Sequence, residues 1–149
     1  MAERARGLID TSVLIDLEHL EPEKLPETMS ISAVSLAELA AGPHATTDPN
    51  ERGRRQERLQ RVEATFSPLP FDADAARAYG RVYSAVAAAG RKAHGRRAVD
   101  LLIAATALAA RVPIYTRNPS DFEGLGELLE VVAVRRTRDR DEREALPPT

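Results

Sequence analysis

The sequence predicts an α/β domain on a mostly parallel central sheet, and three observations predict it. Short apolar runs at residues 7–10, 29–33, 114–116 and 130–134 have the length of buried strands. Stretches with apolar residues three and four apart lie between them, so strands and helices alternate as βαβ units. A helix beginning near Arg97 is apolar enough to be buried, yet carries Asp100 on the face of Ile103, Ala104, Ala107 and Leu108. Ionised carboxylates are almost never fully buried without a partner, so Asp100 demands a cation, a hydrogen-bond donor or water.

Composition narrows the class. At 149 residues the chain has the size of one domain and can bury roughly two-thirds of its unfolded surface without staples. There is no Cys, hence no disulfide and no thiolate metal site. The first six residues are charged and run into an apolar segment too short for a signal peptide or a membrane span. A net charge of −2 gives no global pull toward nucleic acid, so any such binding must come from local basic patches. The expectation is one cytoplasmic domain over residues 1–134, with no membrane association, and a charged tail over 135–149 too polar to fold.

The elements follow in order. Residues 7–10 form a strand that hands over at Thr11 and Ser12 to a helix with the stripe Val13, Leu14 and Leu17. Pro22 and Pro26 make residues 18–27 a loop, and 29–33 alternate as a second strand. Ser35 and Glu38 have the spacing of a capping box, with Leu36, Leu39 and Ala40 behind, and Gly42-Pro43 stops that helix. Residues 44–50 read as loop. Residues 51–65 mix five Arg with three Glu around Leu59, Val62 and Phe66, which suits a charged outer helix. Residues 68–71 are a short strand or extended link. Asp72 and Asp74 are cap candidates for a helix bearing Ala76, Tyr79, Val82, Tyr83 and Val86, ended by Gly90. A basic loop over 91–97 leads to the Asp100 helix, the strand 114–116, a turn Asn118-Pro-Ser-Asp121, a short segment 122–129 and a last strand 130–134.

In open parallel sheets, ligands bind outside the carboxyl ends of the strands. Asp10 ends the first strand, Glu38 lies early in the helix after the second, Asp100 lies near the start of the helix before 114–116, and Asp121 follows that strand. Each of three acids has an ordinary structural role open to it: Asp10 and Asp121 as caps, Glu38 within the box with Ser35. Asp100 has none. Four like charges on one edge repel, and a hard divalent cation such as Mg²⁺ or Mn²⁺ is their natural compensation.

The runs Leu8-Ile-Asp-Thr-Ser-Val-Leu-Ile-Asp-Leu17, Ser32-Ala-Val-Ser-Leu-Ala-Glu-Leu-Ala-Ala-Gly42, Asp100-Leu-Leu-Ile-Ala-Ala-Thr-Ala107 and Tyr115-Thr-Arg-Asn-Pro-Ser-Asp-Phe122 resemble the PIN-domain ribonucleases, and most nearly the VapC-type toxins of bacterial toxin–antitoxin pairs. The resemblance implies a three-layer α/β/α fold and Mg²⁺-dependent endoribonuclease activity. By motif it makes Asp10, Glu38, Asp100 and Asp121 the metal-holding and catalytic acids. Asp121 stands at the family's most variable acid position. Thr11 and Thr116 match hydroxyl positions beside the site, with Thr116 a further catalytic candidate, and Asn118 matches a polar position. The resemblance also implies an antitoxin partner that reaches an Arg into the acidic site, and a homodimer. Arg96, Arg97 and Arg117 are candidates for gripping RNA phosphates, against the ordinary role of solvated surface.

One or two metal ions on these acids would activate water for in-line attack on a phosphodiester. No general base presents itself, because the three His, at positions 19, 44 and 94, fall outside the motifs. Two rival readings are a haloacid-dehalogenase-like phosphatase and a silent PIN-like module that binds RNA or protein without cutting. The first wants an Asp where Ser12 stands, and the full acid set argues against the second.

Overall fold

The computed structural model describes residues 5–135, so residues 136–149 of the expected tail lie outside the described part of the chain. The first strand, β1 (Arg6–Ile9), is followed at once by α1 (Thr11–Asp16). Two 3-10 turns, Leu17–His19 and Pro22–Lys24, fill the predicted loop and lead to β2 (Thr28–Ser30) and α2 (Ala33–Ala41). Then come α3 (Pro49–Thr65), α4 (Ala73–Ala88), α5 (Arg96–Ala110), β3 (Ile114–Thr116), a 3-10 turn at Pro119–Phe122, and β4 (Val131–Ala133). Among the described residues the sheet has four strands in the order β2-β1-β3-β4, all parallel. No helix among them is long and apolar enough to cross a membrane.

Strand alternation divides the core into two layers. Successive side chains point to opposite faces, and Leu8 and Ile114 join one apolar cluster while their neighbours Ile9 and Tyr115 join the other. The first cluster is built with Val82 and Val86 of α4, Leu101 and Ile103 of α5, and Phe122. The second takes Val13 and Leu14 of α1, Leu39 of α2 and Val62 of α3, with Leu59 and Phe66 packed against it. Helices therefore cover both faces, the α/β/α arrangement expected. Burial of each large side chain contributes about 1.5–3 kcal/mol. Gly7 is required where it stands, because a Cβ there would lie 2.5 Å from the Tyr115 ring and 3.1 Å from Pro26.

The central helix is α5. Leu101, Ile103, Ala104, Ala105, Thr106 and Ala107 are buried, leaving Asp100 half-buried at the edge of the apolar face. Arg111 ends α5 in the left-handed region at φ 57°.

Several boundaries differ from the sequence reading. Ser32, not Ser35, caps α2: its backbone is extended and its hydroxyl accepts from the Val34 N–H at 3.0 Å. The predicted box fails because Ser35 already lies inside the helix, which also shortens β2 at Ser30. Residues 44–50 are not all loop, since a 3-10 turn runs over Gly42–Ala45 and α3, capped by Asp48, begins at Pro49, two residues before Glu51. Of residues 68–71, Leu69 alone forms a bridge, to Ser32, with Leu69 N–H donating to the Ile31 carbonyl at 2.8 Å.

The chain runs from β1 to β2 on one side, then returns past β1 to β3 on the other. That reversal puts a topological switch point at the carboxyl ends of β1 and β3, the place where open parallel sheets bind ligands.

Candidate active site

Asp10 follows the last residue of β1, at that switch point, and is only 4 % exposed. Its extended backbone makes it the N-cap of α1, with Oδ1 accepting from the Val13 N–H at 3.1 Å and from the Ser12 hydroxyl at 2.6 Å. The ordinary capping role is thus real, but it does not exhaust this carboxylate. Burial raises its pKa most; hydrogen bonds from Ser12, Thr116 and Val13 oppose the rise, and the charge of Asp121 adds to it.

Asp100, one turn into α5, has its pKa pushed up to about 6. Burial is the largest cause, followed by the charges of Asp121, Glu38 and Asp10; Arg96 pulls weakly the other way. Three of the four acids that the sequence scattered over four segments therefore bear on the fourth.

Glu38 is exposed on α2, and its Oε1 accepts from the Thr11 hydroxyl at 2.7 Å. Thr11 has one proton, so the 2.8 Å contact between its oxygen and Ser35 Oγ must be a donation from Ser35. A chain of two hydroxyls thus spans from α2 through α1 back to Glu38, and the capping-box role is not taken. Asp121 lies within the 3-10 turn after β3 rather than at its cap, which is Asn118.

No ion pair among the described residues involves Asp10, Glu38, Asp100 or Asp121. Nor is any group of three or more His, Cys, Asp or Glu among them drawn together into a metal-holding shell as it stands. Four carboxylates, three of which raise the pKa of the fourth, with only the nearby charge of Arg96 acting on Asp100 and no ion pair among the described residues to any of them, are the donor chemistry that a hard divalent ion fits.

The basic candidates separate. Arg117 is ion-paired to Asp16, and this pair packs the turn after β3 against α1. Arg96 is exposed and acts on Asp100. Arg97 is half-buried, with Nη1 enclosed and meeting no hydrogen-bond partner. Thr116 is buried at the end of β3, its Oγ1 accepting from the Asn118 N–H at 3.0 Å. His19, His44 and His94 are exposed and belong to none of these segments.

Sequence reasoning missed Ser12, Ser35 and Asp16. Ser12 entered only as part of a helix start and as the residue that argues against a phosphatase, though its place two residues after an N-cap Asp is where a hydroxyl can reach back to the cap. The Ser35 and Asp16 contacts join distant segments, and nothing local signals them.

The model of the PIN domain matches residues 7–128 of this chain. Ribonuclease VapC5 of Mycobacterium tuberculosis (strain ATCC 25618 / H37Rv) is 35% identical over 134 residues, spanning 88% of this chain and 96% of that protein. A Ribonuclease VapC of Rickettsia bellii (strain RML369-C) is 33% identical over 135 residues, spanning 85% and 95%. Among solved structures, VapBC-5 from Mycobacterium tuberculosis, described as a member of the VapBC family of toxin–antitoxin systems, superposes with a TM-score of 0.73 at 32% identity, covering 87% of this chain and 99% of that one.

Proposed function

Because the chain belongs to the PIN-domain family, we propose that it is a metal-dependent endoribonuclease acting as the toxin of a toxin–antitoxin pair. One observation carries the reading: Asp100 is raised by burial and by the charges of three other acids, each from a different segment. A structural carboxylate is arranged the opposite way, with donors and cations around it.

Asp10, Asp100, Glu38 and Asp121 would hold the ion, Mg²⁺ or with similar chemistry Mn²⁺. When bound, such an ion supplies a Lewis acid that lowers the pKa of water and offsets charge on the phosphate. The chain's own residues do the rest. Asp10 is held in one orientation by the Val13 amide and the Ser12 hydroxyl. Thr11 steadies Glu38, which would otherwise sweep through solvent. Thr116 adds a hydroxyl at the floor of the site. Arg96 and Arg97, at the start of α5, would be the cations that meet RNA phosphates, while Arg117 would contribute through its pair with Asp16. With RNA as its target, the protein would act in the cytoplasm.

An antitoxin has a surface to occupy. Leu14, Ile15, Leu17, Val62 and Phe66 line a groove of about 180 Å³ between α1 and α3, with Arg58, Arg61 and Glu18 at its rim. Ile15 is 43% exposed there, one turn along α1 from the acids. An amphipathic segment of the antitoxin would fit this groove, and an Arg that it carries would be the natural counter-charge to the acids. A homodimer completes the reading.

The test is cleavage of RNA by the purified protein, with Mg²⁺ and after EDTA. Metal-dependent cleavage that disappears in Asp100→Asn is the expected result. Cleavage that survives complete metal removal overturns the metal mechanism, and a folded protein that cuts no RNA in cells on induction returns the chain to a silent binding module.

A further inference from the structure

Asp10 owes its orientation to a residue outside the four acids. The Arg117 N–H donates to Ser12 Oγ at 3.0 Å, and Ser12 Oγ in turn donates to Asp10 Oδ1 at 2.6 Å. Beside this relay runs a second one: the Asn118 N–H donates to Thr116 Oγ1 at 3.0 Å, and the Thr116 hydroxyl also bears on the Asp10 carboxylate. The two hydroxyl oxygens stand 3.5 Å apart. Two consecutive amides of the turn after β3 are thus each read out on Asp10 through one hydroxyl, and a hydroxyl that accepts from an amide is a stronger donor onward.

We propose that Ser12 is a positioning residue that couples the turn carrying Asp121 to the Asp10 carboxylate, setting the separation of these two acids and the oxygen that Asp10 presents to the ion. The inference rests on the metal-site reading of Asp10 and deepens it. Oδ1 already takes the Ser12 hydroxyl and the Val13 amide, so Oδ2 is the oxygen left with capacity for a further partner. Without the Ser12 hydroxyl, Oδ1 loses its shortest bond and the Arg117 amide loses its acceptor. The turn is then anchored on the α1 side by the Arg117–Asp16 pair, at a side-chain tip rather than at the backbone. The donation from Ser12 to Asp10 could not be replaced by Thr11, whose proton is committed to Glu38.

The experiment compares Ser12→Ala and Ser12→Thr with the wild-type protein by two readouts: Mg²⁺ affinity by calorimetry on the protein alone, and the Mg²⁺ concentration for half-maximal RNA cleavage. Groups that orient metal ligands are worth roughly 10- to 100-fold in metal affinity, so Ser12→Ala is expected to weaken Mg²⁺ binding about 10-fold at the low end of that range. Its kcat is expected to recover at saturating Mg²⁺, with KM for RNA unchanged. Ser12→Thr, which keeps the hydroxyl, is expected to retain the wild-type Mg²⁺ requirement. A Ser12→Ala protein that melts earlier but binds Mg²⁺ as wild type does would make Ser12 merely structural and overturn the proposal. If Ser12→Ala does not fold, a folded Ser12→Thr with a raised Mg²⁺ requirement overturns it equally. Wild-type protein that binds no Mg²⁺ defeats the metal-site reading first, and this inference with it.

Discussion

The acid edge and the α2–α3 corner are both rich in charge, and they treat carboxylates in opposite ways. At the corner, Glu51 accepts from Arg54 at 2.7 Å and from Arg55 at 3.0 Å, and these hydrogen bonds hold its pKa below the usual carboxylate range. The remaining arginine donors there cap the end of α2: Arg55 reaches the Gly42 carbonyl at 2.9 Å, and Arg52 the carbonyls of Pro43 and Thr46 at 3.1 and 3.0 Å. At the edge, Asp10 and Asp100 are raised by burial and by one another's neighbours. A fold that brings its own cations to an acid uses that acid structurally; one that gathers acids without them has left the compensation to something that binds.

The largest expected effect that sharpens this contrast is on catalysis. Asp100→Asn and Asp10→Asn should each lower RNA cleavage at least ~100-fold, since both ion binding and water positioning are lost. Glu51→Gln should leave cleavage within about twofold, as a surface change away from the site usually does. Equal losses in the two regions would dissolve the contrast.

Next comes the pH dependence of metal-free stability. The folded pKa of Asp100, about 6, lies above its ordinary 3.8, so between these values the native state holds a proton that the unfolded chain has released. Native stability therefore falls as pH rises through that window. Asp100→Asn removes the penalty: it should melt with wild type near pH 4 and above it at pH 7. Half-exposed and partly screened by solvent, the group should contribute ~1 kcal/mol, or ~3 °C in Tm. Added Mg²⁺ should raise the wild-type Tm and close the gap, because only a native state that binds the ion gains from mass action. A metal-free Asp100→Asn that melts below wild type at pH 7 would move Asp100 into the structural class.

Of similar size and opposite sign is the corner. Arg55→Leu removes a half-buried donor from both the Gly42 carbonyl and Glu51, and should cost about 1 kcal/mol in denaturant unfolding with cleavage unchanged. The smallest effect is that of Glu51→Gln on the melting curve. The folded pKa of Glu51 is depressed, so its contribution is present at neutral pH and fades as pH falls through that lowered value. Mutant and wild type should converge in acid, as they do for Asp100, but here the mutant is the less stable of the two at neutral pH. Curves that diverge there instead would show that Glu51 is not held by its arginines.

Much of this was legible because the relevant signals are periodic or local. Asp100 declared itself by sitting on a helix face otherwise filled by Ile103, Ala104 and Ala107, and the strand ends that carry Asp10 and Thr116 follow from short apolar runs. The capping of α2 was misread because Ser32 and Ser35 both have the right side chain, and the choice between them depends on where β2 stops pairing with β1, which is a property of the sheet. Ser12 was undervalued for the same reason: its link to Asp10 spans two residues, but its acceptor role toward the Arg117 amide spans 105.

The sequence by itself determined which residues are apolar at which spacing, and hence the α/β class, the rough order of elements and the identity of the four acids. Tertiary structure alone decided that the charges of Asp10, Glu38 and Asp121 act on Asp100. The order β2-β1-β3-β4 places the ends of β1 and β3 side by side, and only that adjacency lets charges more than a hundred residues apart act on one carboxylate. Periodicity reports what each element buries. Coulomb interactions and hydrogen bonds between elements fall off over a few ångströms, so they come into being only once packing has fixed those distances.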